Sequence, residues 1–289
     1  MSGERNRDTS GDRSIDTAQV ILFVPGDRPD RIGRALAAGA DAVVIDLEDS
    51  VAPANKPAAR EAAIRAVEAA RVLPVGVRVN ALTTPDGIRD LAALFDSSAV
   101  LPDFVVLPKV ESAAEARLCA QVLGGRDWRG ELVCSIESGA GLEHAAEIAA
   151  ADPHVVALGF GGADLAAALG AELDWEPMLP ARARLVWAAA AAGIRALDMP
   201  CLDLDSAAVL AKECRRARTM GFTGKFVIHP KQVDGVRQAF TPTALQVADA
   251  HAVLGAAEDG GAVRFRGSMI DAAVVRRARL VIERAGGGA

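Results

Sequence analysis

Two carboxylates are spaced as a pair that could do chemistry. Glu137 and Asp164 each follow a short apolar run, Leu132 to Ile136 and Val155 to Leu158, and each lies in a glycine-containing turn. Both runs read as buried parallel strands, whose carboxyl ends lie side by side in α/β proteins, so the two acids should converge at one mouth. Two hard oxygen ligands suit Mg²⁺, which keeps several waters and takes its remaining ligands from substrate. Taken singly, Glu137 could cap its turn and Asp164 could N-cap the helical run Leu165 to Leu169. The matched pair favours a metal, as do the flanking glycines, which admit a ligand close to the backbone. An ion held there could bind an α-keto acid, polarise its carbonyl and stabilise an enolate.

Arg78, in VGVRVN, falls on the inward-looking phase of the third apolar run. Its planar fork matches a carboxylate or enolate oxygen, while a salt bridge to Glu48 or Asp49 could coexist with that role. His229, in KFVIHPKQV, is a weaker candidate for a base, because a His before Pro at a strand end is as often structural. Cys134 lies inside a strand and reads as an inert thiol.

The elements that must position these residues are eight apolar runs: 20–24, 42–45, 75–79, 104–107, 132–136, 155–158, 194–197 and 226–228. Helical patterns fall between them at 30–38, 56–70, 84–95, 112–123, 141–151, 180–192 and 205–220. This alternation is the signature of repeated βα units. Eight strands with short connections close into an α/β (β/α)8 barrel, a TIM barrel, with its active site at the carboxyl-terminal face. An open doubly wound sheet is the competing fold, but no GxGxxG follows any run.

Residues 1–19 are polar and charged and read as a disordered leader. The barrel domain is expected over residues 20–240. A C-terminal helical extension is expected over residues 241–289, with helices at 241–254 and 272–284 around a glycine-rich turn at 259–261. At 49 residues the extension is too small to fold alone.

The net charge is −6 with no basic cluster, which argues against a nucleic-acid partner. No uncharged apolar run reaches the roughly 18 residues of a membrane span. Cys119, Cys134, Cys201 and Cys214 show no CxxC spacing, as expected of a reduced, cytoplasmic protein with small-molecule partners.

Taken in order, LFVPGDRP, ADAVVIDLEDSVAPANKPAAR, VRVNA, VLPKVES, SIESGAG, FGGADL, GFTGKFVIHPKQV and GSMID resemble the citrate lyase β-subunit-like (CitE-like) branch of the HpcH/HpaI aldolase/citrate lyase family. The resemblance implies a Mg²⁺- or Mn²⁺-dependent enzyme that makes or breaks a carbon–carbon bond in a coenzyme A thioester. The substrates it implies are acyl-CoA and keto acid, in a malyl, methylmalyl, citramalyl or hydroxymethylglutaryl type of reaction. It places the metal on Glu137 and Asp164, substrate on Arg78, Gly162 and Ala163, and coenzyme A near Phe23, Arg34, Ile228 and His229. Arg28 and Arg31 could help with the phosphates. Asp271, in the GxMID motif, would reach a neighbouring subunit's site as acid or base, which implies a homo-oligomer, a trimer. Citryl thioester cleavage, a free-acid pyruvate aldolase and a non-catalytic keto-acid-binding component of a lyase complex are the alternatives.

Overall fold

The computed structural model describes residues 13–70, 72–97, 100–257, 263–265 and 267–286. The first half of the barrel runs β1 (Val20–Pro25), α1 (Pro29–Leu36), β2 (Ala42–Asp46), α2 (Lys56–Ala69), β3 (Val75–Arg78), α3 (Pro85–Asp96), β4 (Phe104–Leu107) and α4 (Ala113–Gly124). The second half runs β5 (Glu131–Ile136), α5 (Gly139–Glu143), α6 (Ala145–Ala149), β6 (Val155–Phe160), α7 (Gly162–Leu169), α8 (Trp175–Ala192), β7 (Arg195–Asp198), α9 (Ala207–Met220) and β8 (Gly224–Val227). All eight strands are parallel and β1 pairs with both β2 and β8, so the sheet closes into a (β/α)8 barrel.

The strands form where apolar runs can be buried on both faces: AVVID in β2 and FVVL in β4 have no exposed position. Alternate residues point inward and fill the barrel. Ile21, Ala42, Val44, Phe104, Val106, Val133, Leu197 and Phe226 belong to one buried cluster. Gly76 makes room for Phe104, whose ring lies within 2.6 Å of where a Cβ would stand. The same inward phase, carried two residues past Val44 and Gly76 and four past Val133, brings Asp46, Arg78 and Glu137 to the carboxyl-terminal mouth.

Several boundaries differ from the sequence expectation. Strand β6 continues to Phe160, and the helix expected at 141–151 is divided at His144 into α5 and α6. Helix α8 begins at Trp175, five residues before Pro180. The chain enters it from Asp174 in extended conformation, and Pro180 is accommodated in its second turn at the loss of one backbone bond.

The expected leader needs the largest correction. Residues 1–12 lie outside the described residues, but residues 13–19 do not behave as a disordered tail. Ile15 is fully buried in the barrel cluster. The Glu131 carboxylate accepts from Ser14 Oγ at 2.7 Å and from the Ile15 amide at 2.8 Å. Arg13 pairs with Asp103 at 3.1 Å, and Arg195 donates to the carbonyls of Ile15 and Ala18. One apolar side chain in a polar segment is invisible to periodicity, yet it closes the amino-terminal end of the barrel.

The chain divides into two compact units, residues 1–236 and 237–289. Helix α10 (Val233–Phe240) spans that boundary. In the second unit α11 (Ala244–Ala256) starts at a capping box of Thr243 and Gln246. It packs against α12 (Ala272–Gly286), and β9 (Val263–Phe265) pairs antiparallel with β10 (Ser268–Ile270). The turn expected at 259–261 lies outside the described residues.

Candidate active site

A cavity of about 470 Å³ opens at the carboxyl-terminal mouth of the barrel. Phe23, Arg78, Glu137, Gly162, Ala163, Asp164 and Ile228 all line it, so seven of the expected site residues share one space. Arg31 lines it as well. Arg34 and His229 do not. Arg34 is exposed on α1 and pairs with Asp30 at 2.7 Å. His229 Nδ1 accepts the Lys231 amide at 3.1 Å and caps the short turn Pro230–Gln232.

Arg78 is fixed from two sides. Its Nε and Nη2 donate to the two oxygens of Asp46, each at 2.7 Å, and Nη1 lies 2.9 Å from Glu48 Oε2. The guanidinium also lies 4.9 Å from the centre of the Phe23 ring. Of the two partners expected from sequence, Glu48 is correct and Asp49 is not. The bidentate partner is Asp46, one strand away in register with Arg78. Burial works to raise the Asp46 carboxyl, but the hydrogen bonds and charge of Arg78 hold it below its ordinary value. Lys109, at φ 51°, reaches Glu48 Oε1 at 2.5 Å and Asp49 at 3.4 Å. Its ammonium is held above its usual range by these carboxylates, against burial.

Glu137 is only partly satisfied, as is Glu48, whose Oε2 has the Arg78 ion pair but no hydrogen-bond partner among the described residues. Glu137 is 5% exposed, and its own Oε2 likewise has no hydrogen-bond partner among the described residues. Burial pushes its carboxyl well above the ordinary value, and Glu48 and Asp164 add repulsion that Arg78 only partly offsets. A Cβ on Gly161 would stand 2.2 Å from Glu137 Cγ, so only glycine at 161 lets this side chain lie here. Asp164 sits on the third residue of α7, whose N-cap is Gly161, so it is not the N-cap considered from sequence. Two adjacent carboxylates, one with a buried unpartnered oxygen, form a donor set suited to a divalent cation.

The seventh-strand acid, Asp198, belongs elsewhere. It is fully buried, pairs with Lys225 at 2.6 Å and Arg182 at 3.3 Å, and does not line the cavity. All four cysteines are free and buried, and burial raises the Cys134 thiol far above its usual range, as its inert reading requires. Asp271, in the second unit, is exposed; its Oδ1 accepts the amides of Ala273 and Val274 at 2.9 and 3.1 Å.

Phe160, Met199 and Phe226 also line the cavity and were not picked out from the sequence. The inward phase of β8 already pointed to Phe226, and Phe160 required knowing that β6 runs two residues longer.

Known proteins align with this arrangement along most of the chain. The model of the HpcH/HpaI aldolase/citrate lyase family matches residues 19–230, and that of a C-C bond lyase of the TIM-barrel fold matches residues 185–286. The chain is 34% identical to the L-malyl-CoA/beta-methylmalyl-CoA lyase of Rhodobacter capsulatus, over 91% of this chain and 93% of that protein. It is 39% identical to the citrate lyase subunit beta-like protein of Mycobacterium tuberculosis, over 92% and 94%. A crystal structure of CitE from Mycobacterium tuberculosis in complex with magnesium, acetoacetate and coenzyme A superposes with a TM-score of 0.79 at 38% identity, covering 93% of this chain and 98% of that one. With these matches and this barrel mouth, the chain belongs to the HpcH/HpaI aldolase/citrate lyase family, in its citrate lyase β-like branch, as a carbon–carbon bond lyase.

Proposed function

We propose that this enzyme is a Mg²⁺-dependent lyase, or in reverse a synthase, acting on a 3-hydroxyacyl-CoA thioester of the malyl, methylmalyl, citramalyl or hydroxymethylglutaryl type. The observation that carries this reading is the unpartnered buried oxygen of Glu137 beside Asp164, in one cavity with Arg78. The activity of the Rhodobacter relative and the magnesium and coenzyme A in the mycobacterial structure support it.

Glu137 and Asp164 would hold the ion, with Mn²⁺ as the other candidate. When bound, the ion supplies Lewis-acid polarisation of a keto-acid oxygen and balances the crowded carboxylates. Arg78 spends Nε–H and one Nη2–H on Asp46, while Nη1 stands in an ion pair with Glu48, which leaves N–H groups on both terminal nitrogens. These donate to the oxygen that becomes negative as the thioester enolate forms, and the guanidinium needs no reorganisation to do so. Gly162 and Ala163, with no side chain beyond a methyl, form the floor under the keto acid. Phe23, Ile228 and Arg31 flank the thioester at the mouth, with Arg34 and His229 further out on the coenzyme A side.

In cleavage, a base takes the β-hydroxyl proton, the carbon–carbon bond breaks towards the thioester enolate, and the enolate carbon is then protonated. We assign the proton exchange to Asp271 of a second copy, which makes the enzyme a homo-oligomer, a trimer. Four free buried cysteines fit a cytoplasmic location.

The test is mass spectrometry of the purified protein with Mg²⁺ and a panel of malyl-, methylmalyl-, citramalyl-, hydroxymethylglutaryl- and citryl-CoA. Parallel samples use EDTA or the Asp271→Ala variant. Cleavage of one thioester that disappears in both controls supports the assignment. Failure with the whole panel, and with glyoxylate plus acetyl-CoA, sinks it.

A further inference from the structure

A second cavity of about 370 Å³ adjoins the first and shares Met199, Pro200 and Leu202 with it. Its notable group is Arg182 on α8, only 5% exposed. The guanidinium carbon lies 4.5 Å from the centre of the Phe160 ring and 4.4 Å from that of Trp175. Nε donates to Asp198, but among the described residues no acceptor meets Nη1 or Nη2. Four N–H donors thus border the cavity unused, at the tip of a side chain that is otherwise buried. A guanidinium fork held in place between two rings, with its donors open to a cavity, is pre-organised for an acceptor.

The chemistry of the acceptor follows from the surroundings. Two aromatic rings pack against the guanidinium and Nε is taken by Asp198, so the open approach is along the edge of the Nη fork. A planar carboxylate meets such an edge with two parallel hydrogen bonds. Most carboxylates lining the cavity are already engaged: Glu176 with Arg216 at 2.7 Å, Glu213 with Lys225 at 3.3 Å, and Asp203 with the amides of Asp205 and Ser206. Lys212, exposed on the same cavity, has no acceptor within hydrogen-bonding distance among the described residues. The charges of the lining nearly cancel, so recognition rests on the fork and not on net potential.

We propose that this cavity is a second binding site, for a small dicarboxylate, with one carboxylate on the Arg182 Nη fork and the other on Lys212. The site lies outside the reacting cavity, but its Arg182 packs on the Phe160 ring that lines that cavity, and the two cavities share Met199, Pro200 and Leu202. It does not depend on the reading of the catalytic activity.

Calorimetric titration of the full-length protein in EDTA tests it, since the chelator silences any metal-dependent keto-acid site at Glu137 and Asp164. The probes are succinate, acetate and inorganic phosphate. Saturable succinate binding is expected, weakened about tenfold or more in Arg182→Lys, which keeps the charge beside Asp198 but loses the fork. Lys212→Gln, a surface change that does not threaten folding, is expected to weaken succinate several-fold and leave acetate unchanged. If Arg182→Lys does not fold, the Lys212 variant decides. Absence of saturable binding by either carboxylate, succinate affinity unchanged in the variants, or phosphate binding more tightly than succinate would each overturn the assignment.

Discussion

Two buried charge clusters in the barrel carry similar costs of burial and resolve them differently. Between β7 and β8, Asp198 and Lys225 have no solvent exposure, and both Asp198 oxygens are engaged, by Lys225 and Arg182. At the mouth of β2, β3 and β5, Arg78 is well supplied with acceptors, but Glu137 keeps an oxygen with no partner among the described residues. Desolvated charge is tolerated when geometry returns the lost hydrogen bonds. The Asp198–Lys225 pair, with both carboxylate oxygens engaged, therefore reads as structural, and the mouth cluster as a place held for a cation and its substrate.

The sharpest way to break this comparison is Lys225→Met. It leaves Asp198 buried with Arg182 alone and is expected to cost about 3–5 kcal/mol of stability, read from urea unfolding. Metal binding by the folded fraction should be unchanged. A loss below about 1 kcal/mol would mean that the cluster is not structural. Next, Glu137→Gln is expected to weaken Mg²⁺ binding more than about 100-fold while stability holds or rises, because the amide removes the cost of keeping that buried carboxyl either protonated or charged. If this variant unfolds as readily as the lysine variant, the two clusters do not differ.

Asp46→Asn keeps shape at the Arg78 fork but removes the charge that orients it. Turnover on the thioester is expected to fall about 10- to 100-fold with KM little changed. An equal rise in KM would assign Arg78 to ground-state binding only. The smallest effect is a pH slope. Because burial, then Glu48 and Asp164, raise the Glu137 carboxyl well above its ordinary value, Mg²⁺ must displace a proton there. Affinity should climb by up to about tenfold per pH unit below that raised value, with proton release seen in buffers of different ionisation enthalpy, and flatten in Glu137→Gln. Without metal, the folded state holds a proton that the unfolded state releases. Metal-free stability therefore falls as pH rises from the ordinary carboxylate range through the raised value.

Much of this barrel was legible because parallel strands buried on both faces write contiguous apolar runs into the sequence, as AVVID and FVVL do. That Glu137, Asp164 and Arg78 share the mouth was legible because they lie at or just beyond the carboxyl ends of such runs. What escaped depends on neighbours far apart in sequence. Asp46, Glu48 and Asp49 all follow the second apolar run, and only register with β3 selects Asp46 for Arg78. Lys225 preceded the expected start of the eighth strand, so its burial against Asp198 was hidden. Ile15 was one apolar residue in a polar leader. Arg34 and His229 came from family correspondence, and their local contacts are with Asp30 and the Lys231 amide.

Arg195 grips the carbonyls of Ile15 and Ala18 across 180 and 177 residues of sequence. Its partners leave the ribosome first and must wait for β7 to be made. The segment that ends as a floor is thus a loose thread during most of synthesis, and the buried Glu131 carboxylate stands without its Ser14 and Ile15 donors until that thread is tucked in. Contacts of such sequence separation are slow to form. The newborn chain therefore passes through an open-bottomed stage in which the segment around Ile15 has no finished barrel to close.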